Sequence, residues 1–245
     1  MEEMGKVFVL FGAPGSGKGT QGEFLEKQFG LPRVSTGDLF RALPEHGVGA
    51  EIKVLMKQGA LVPDEKVTEM LRDELSNEKY ANGFLLDGYP RTIPQAEALE
   101  KLLSSLGHTL ENVIYLKVPT HELKRRLGGR WTCRACKKIY SSDEGKPAAT
   151  CGLCGGEIYQ RTDDAPAGVK TRLKTFSKQT KPLEGYYKKK KLLQTVRVPK
   201  NAQKEEVFEL VMKAVRGEKQ PGPIARANAW MKRRARRDSN PRPTD

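Results

Sequence analysis

The chain has 245 residues, 37% of them hydrophobic and 30% charged, the composition of a globular protein with enough material for a real core. No run approaches the ~20 apolar residues that span a bilayer, and Met1–Lys6 lacks the apolar segment of a secretory leader, so a cytoplasmic location is expected. The net charge of +14 leaves two classes of partner in play, nucleic acid or a polyphosphate held in a cation-rich site.

The first element is an apolar strand over Val7–Phe11. It runs into Gly12-Ala13-Pro14-Gly15-Ser16-Gly17-Lys18-Gly19-Thr20 and then a helix expected over Lys18–Phe29. Strand, glycine-rich turn and helix start together make a phosphate cradle. Glycines let backbone N–H groups crowd an anion, the helix aims its positive end at it, and Lys18 adds a full charge. The general pattern has Ser or Thr directly after the lysine to hold magnesium. Here Gly19 precedes Thr20, so the metal is expected to be positioned by other means.

Further strands are expected around Arg33–Ser35, Gly83–Leu86, Val113–Val118 and Val196–Val198. Helices are expected over Glu65–Leu75, Pro94–Leu106 and Lys204–Val215. Strand alternating with helix predicts an α/β fold, a mostly parallel sheet covered on both faces. Ligands of such sheets lie beyond the carboxyl ends of the strands, and Gly12, Asp38, Asp87 and Pro119 all fall just past expected strand ends. Asp38 has a second reading as the cap of a helix starting near Leu39.

Two segments interrupt the alternation. Residues 37–64 read as a small polar helical subdomain, with Pro44 breaking its helix. Residues 130–164 hold all four cysteines. Cys133-x-x-Cys136 and Cys151-x-x-Cys154, fourteen residues apart, predict a structural zinc ribbon. Four thiolates leave no ligand position for water, a reducing cytoplasm disfavours disulfides, and iron fits the same cage. Residues 217–245, with eight Lys/Arg and three Asp/Glu and no apolar periodicity, read as a basic, disordered tail.

Gly12–Thr20, Ser35-Thr36-Gly37-Asp38-Leu39-Phe40-Arg41 and Gly83-Phe84-Leu85-Leu86-Asp87-Gly88-Tyr89-Pro90-Arg91-Thr92-Ile93-Pro94-Gln95 together resemble adenylate kinase. Arg130 before the first cysteine pair and Arg161-Thr162-Asp163-Asp164 after the second resemble its long-lid, zinc-bearing form. The resemblance implies a P-loop core with a five-stranded parallel sheet over residues 1–35, 65–126 and 173–216. It implies a monophosphate-binding insertion over 36–64 and a lid over 127–172. The implied reaction is ATP + AMP = 2 ADP, with Mg2+ carried by ATP, a structural Zn2+ and a monomeric enzyme.

By the same resemblance, Gly15, Ser16, Gly17, Lys18, Gly19 and Thr20 hold ATP phosphates, and Arg126 stacks on the ATP adenine. Thr36, Arg41, Gly88, Arg91 and Gln95 hold AMP, with Gln95 reading the base. Arg130, Arg161 and Arg172 gather around the transferring phosphoryl, and Asp87 orients magnesium through water. Asp163 and Asp164 are expected to tie the lid base together rather than touch metal. No general base is required, because the AMP phosphate is already an ionised nucleophile.

Some positions depart from the family's pattern. Ala165–Gly168 stands where the family has Glu-Thr, Lys170 takes a place often held by Arg, and Val198–Ala202 replaces a glycine-containing loop. A UMP or CMP kinase would carry a small residue for Thr36 and a different motif for Thr92–Gln95. A nucleic-acid-binding zinc ribbon would account for the charge and the cysteines but not for Ser35–Arg41 or Gly83–Gln95.

Overall fold

The computed structural model describes residues 5–141 and 148–218. The expected disordered tail lies, apart from Gly217 and Glu218, outside the described residues. Five parallel strands form the central sheet: β1 (Gly5–Phe11), β2 (Arg33–Ser35), β3 (Gly83–Asp87), β4 (His108–Lys117) and, numbered last, β8 (Leu193–Arg197). Their spatial order is β2-β3-β1-β4-β8, so the chain crosses from the central β1 to the β2 edge, returns through β3, and then passes β1 to β4 and the β8 edge. All pairings are parallel, which puts every carboxyl end on one rim. The α/β expectation holds. Strand β4 starts five residues before the expected Val113, because Gly5, Lys6 and Val7 of β1 already pair with His108, Thr109 and Leu110.

Period-two alternation explains the two cores. Val7, Val9 and Phe11 of β1 face one side with Phe84, Leu86, Val113 and Tyr115, where they meet α4 (Asp64–Leu75) and α5 (Ile93–Ser105). Phe8 and Leu10 face the other, with Leu85, Ile114, Leu116 and Val196, under α1 (Lys18–Phe29) and α9 (Lys204–Val215). Leu85 and Leu86 are both fully buried, each contributing about 1.5–3 kcal/mol, and they point to opposite cores.

The two interruptions also take shape. After β2, α2 (Thr36–Ala42) and α3 (Gly47–Gln58) are separated at Pro44, as expected. The cap of α2 is Ser35, whose Oγ accepts from the Asp38 backbone N–H at 3.3 Å. Asp38 is therefore not the cap; it pairs with Arg41 instead. After α6 (Thr120–Gly128), a second sheet of β5 (Arg130–Cys133), β6 (Ile139–Ser141) and β7 (Ile158–Tyr159) is antiparallel in the order β6-β5-β7. The chain then returns through α7 (Pro166–Thr175) and α8 (Leu183–Lys189) to β8. Among the described residues no helix is long and apolar enough to cross a membrane.

Candidate active site

The glycine-rich loop leaves the carboxyl end of β1 and enters α1 through left-handed backbone at Gly15 (φ 80°) and Gly17 (φ 95°), which an L side chain would strain. Gly17 caps α1 without a side-chain acceptor, so the first-turn N–H groups are presented to the cleft. Ser16 Oγ is buried without a hydrogen-bond partner, an orphan donor suited to a phosphate oxygen. Lys18 folds back, its Nζ donating to the carbonyls of Gly12 at 2.9 Å and Ala13 at 3.1 Å. Burial pushes its pKa down to about 8; Asp87 opposes this, while Arg91, Arg172 and Arg130 add to it.

Across the cleft, β3 ends at Asp87 and Gly88. Gly88 (φ 88°) is required twice: a Cβ there would also come within 2.8 Å of Thr36 Oγ1 and 3.2 Å of Arg91 Nη2. A polar chain then fixes the Arg91 backbone. Its N–H donates to Gln95 Oε1 at 2.7 Å, Gln95 Nε2 donates to Asp64 Oδ1 at 2.8 Å, and Thr92 Oγ1 donates to Asp64 Oδ2 at 2.6 Å. The Arg91 side chain is tied by its Nε to the Gly88 carbonyl at 2.7 Å. Arg41 Nη2 donates to Asp38 Oδ1 at 2.7 Å, and Arg41 Nε is buried without a partner.

The third wall comes from the small sheet and α7. Asp164, its side chain fully buried, accepts from Arg130 Nε and Nη2 at 2.7 and 2.6 Å and from Arg172 Nη1 at 2.7 Å. Asp163 Oδ2 lies 2.9 Å from the same Arg172 nitrogen. Arg161 Nε donates to Thr132 Oγ1 at 3.0 Å. On α6, buried Glu122 accepts from Arg125 Nη2 at 2.7 Å and Arg126 Nε at 2.8 Å, and these two guanidinium groups hold its carboxyl down to about 2.

Together these walls enclose a cleft of about 720 Å³, within the usual range for small-molecule sites. Eleven Lys/Arg and five Asp/Glu line it. Burial, reinforced by the neighbouring cations, pushes Arg91 and Arg161 down to about 10 and also lowers Arg172. The site concentrates more positive charge than its own carboxylates neutralise. A multiply charged anion is the species that would satisfy it.

Most residues singled out from the sequence meet on this lining: Gly15, Ser16, Gly17, Lys18, Gly19, Thr20, Arg41, Asp87, Gly88, Arg91, Arg126, Arg130, Arg161 and Arg172. Thr36 and Gln95 do not. They are 1% and 2% exposed and sit behind the wall, Thr36 Oγ1 3.5 Å from the Asp87 carbonyl and Gln95 within the Asp64–Arg91 chain. Glu122 and Asp64 were not anticipated. Each is an acid whose cationic or amide partners lie nearby only because a helix turn or a second helix brings them there.

The four cysteines cluster at the small sheet, where Cys136 and Tyr140 also line the cleft. All four Sγ atoms are within 4.8 Å of one another, with Cys133–Cys154 at 3.5 Å and Cys136–Cys151 at 3.6 Å. Four 2.3 Å bonds to a tetrahedral ion require sulfur separations of about 3.8 Å, so the cluster fits a metal and not a pair of disulfides. The Tyr140 hydroxyl, 3.1 Å from Cys151 Sγ, pulls that thiol below its ordinary range toward the thiolate that binds metal.

A parallel sheet with a glycine-rich phosphate loop at its carboxyl rim, facing a collar of arginines, defines a P-loop nucleotide phosphotransferase. A profile of the adenylate kinase family matches residues 10–192. Adenylate kinase of Caldicellulosiruptor bescii is 47% identical over 189 residues, 76% of this chain and 88% of the relative. That of Carboxydothermus hydrogenoformans is 46% identical over 211 residues, 84% and 98% of the two chains, and that of Methanocella arvoryzae 47% over 190, 76% and 88%. This chain belongs to the adenylate kinase family.

Proposed function

We propose that the cleft binds ATP and AMP end to end and that the chain catalyses reversible phosphoryl transfer, ATP + AMP = 2 ADP. One observation carries the reading: a phosphate loop and two separate groups of partly buried arginines line a single cleft of about 720 Å³. Phosphoryl transfer passes through a loose, highly charged transition state, so catalysis is positioning and charge stabilisation. Residues 12–20 and Lys18 hold the ATP phosphates, and Arg126 on α6 flanks the ATP base. Arg41 and Arg91 hold the AMP phosphate. Gln95, behind the wall, supports the AMP site by holding the Arg91 backbone between itself and Asp64.

Arg130, Arg161 and Arg172 reach the transferring group from the side that carries the small sheet. We assign residues 127–172 as a lid and 36–64 as the monophosphate-binding insertion, closing over the core formed by 1–35, 65–126 and 173–216. Closure keeps water, a competing acceptor, out of the site. Asp87 offers carboxylate oxygen to a hard cation beside Gly19, where a Cβ would stand 3.8 Å from Asp87 Oδ2. Magnesium bound with ATP supplies charge neutralisation on the β- and γ-phosphates. Cysteines gathered for a metal rather than paired in disulfides suit a cytoplasmic location.

The test is a coupled assay of ADP formation with AMP, CMP, UMP and GMP as acceptors. AMP should be preferred, and a mimic joining two adenosines through five phosphates should bind tightly. Failure of AMP as acceptor removes the base assignment, and failure of the mimic to bind removes the two-nucleotide reading.

Affinity for ATP should also depend on pH. A bound phosphate raises the depressed pKa of Lys18, so binding takes up protons. Affinity is then full below about 8 and falls, by up to about tenfold per pH unit, as pH rises above it. Calorimetry between pH 7 and 10 reads this directly, and a flat profile would rule it out.

Zinc is the ion we assign to the four thiolates. Among the described residues, only Cys133, Cys151 and Ile158, with Trp131 and Tyr140 packed against them, form the local core, too little to hold the small sheet without metal. Removing the ion should therefore lower the melting temperature more than it changes kcat. Equal melting temperatures for metal-free and metal-loaded protein would deny it a structural role.

A further inference from the structure

Arg33 has no place in the scheme above, yet it lies on the cleft lining. Parallel pairing sets Arg33 opposite Leu85 and Ser35 opposite Asp87, so the Arg33 side chain must run along the sheet to reach the rim. Its stem crosses α1 at Gly22, where a Cβ would come within 2.6 Å of Arg33 Cδ; the glycine opens that passage. At the end of it, Arg33 Nη1 stands 3.6 Å from Asp87 Oδ2, with side chains 20% and 13% exposed. Arg33 Nε is buried without a hydrogen-bond partner. The pair attracts at a distance too long for a hydrogen bond, so the carboxylate is neutralised without being locked.

We propose that Arg33 is a positioning residue that sets how tightly Asp87 takes a divalent cation. The inference rests on the phosphoryl-transfer reading. Asp87 faces Arg33 on one side and the phosphate loop at Gly19 on the other. A hydrated cation arriving with ATP shares the carboxylate with a resident guanidinium, and the two positive charges repel. Arg33 weakens the metal's hold and offsets the Asp87 charge when the cation leaves. Removing one positive charge at this range is worth roughly threefold to tenfold in cation affinity in a partly solvated cleft.

The experiment is a calorimetric titration of Mg2+ into enzyme saturated with the two-adenosine, five-phosphate mimic, comparing the parent with Arg33→Gln and Arg33→Lys. Arg33→Gln should bind Mg2+ roughly threefold to tenfold more tightly, while Arg33→Lys, which keeps the charge, stays near the parent. A residue needed only for packing would shift the melting temperature and leave Mg2+ affinity unchanged. Unchanged or weaker Mg2+ binding by Arg33→Gln overturns the proposal, as does an equal shift in both variants. Failure of the parent to bind the mimic takes away the phosphoryl-transfer reading itself, and this inference with it.

Discussion

Alanine in place of Arg91 is expected to lower kcat/KM for ADP formation by roughly 10³–10⁵, the range seen when a phosphoryl-transfer site loses a well-placed arginine. The environment gives the reason for so large an effect. The guanidinium is buried enough that its pKa falls to about 10, it is tied to the Gly88 carbonyl, and its backbone is pinned through Gln95 to Asp64. Its position is therefore set before substrate arrives, and little ordering remains for the reaction to supply. Arg91→Lys should recover only part of the loss, because an ammonium cannot offer the planar pair of donors. Steady-state kinetics with both substrates varied provide the measurement. A loss below tenfold for alanine, in a variant with an unchanged melting curve, would exclude Arg91 from phosphate binding.

The second large effect is expected at a residue that touches no substrate. Asp164 holds Arg130 by two hydrogen bonds and Arg172 by a third, and its own side chain is completely buried. In Asp164→Ala both guanidinium groups, 14% and 18% exposed, lose their shared anion and repel one another. Removing one partner of a buried ion pair costs about 3–5 kcal/mol, a fall on the order of 10 °C in melting temperature for a chain of this size. Asp163 stays near Arg172 but leaves Arg130 unheld, so activity should fall at least about a hundredfold through misplacement alone. Calorimetric melting and kcat measured on the same preparations test both halves. A variant as stable and as active as the parent would show that Asp164 does not organise this wall.

The two experiments address different layers of the site. Arg91 is placed by local chain: Gly88, Gln95 and Thr92 lie within four residues of it, and the motif was legible as a string. The sequence points to Asp163 and Asp164 as a tie at the lid base, and the geometry supplies the partners of Asp164. Arg130 lies thirty-four residues away and Arg172 eight, a triangle that spacing alone does not reveal. Asp64 escaped notice for the same reason, since its partners Thr92 and Gln95 stand twenty-eight and thirty-one residues along the chain.

What the chain announces by itself is whatever depends on neighbouring residues. The phosphate loop needs glycines at set intervals between a strand and a helix. The metal cage needs two thiolates on each of two tight turns. The alternation of Val7–Phe11 between two cores needs only the pleat of a strand. Each of these is physics over a few residues, so the α/β class, the loop and the four cysteines were readable without coordinates. Tertiary structure alone decided the charge balance of the cleft: which guanidinium is buried, which carboxylate neutralises it, and that Gln95 and Thr36 stand behind the wall rather than on it. Coulomb energy depends on separation in space and on exclusion of water, and neither can be read until β2, β3, α4 and α7 have been brought side by side.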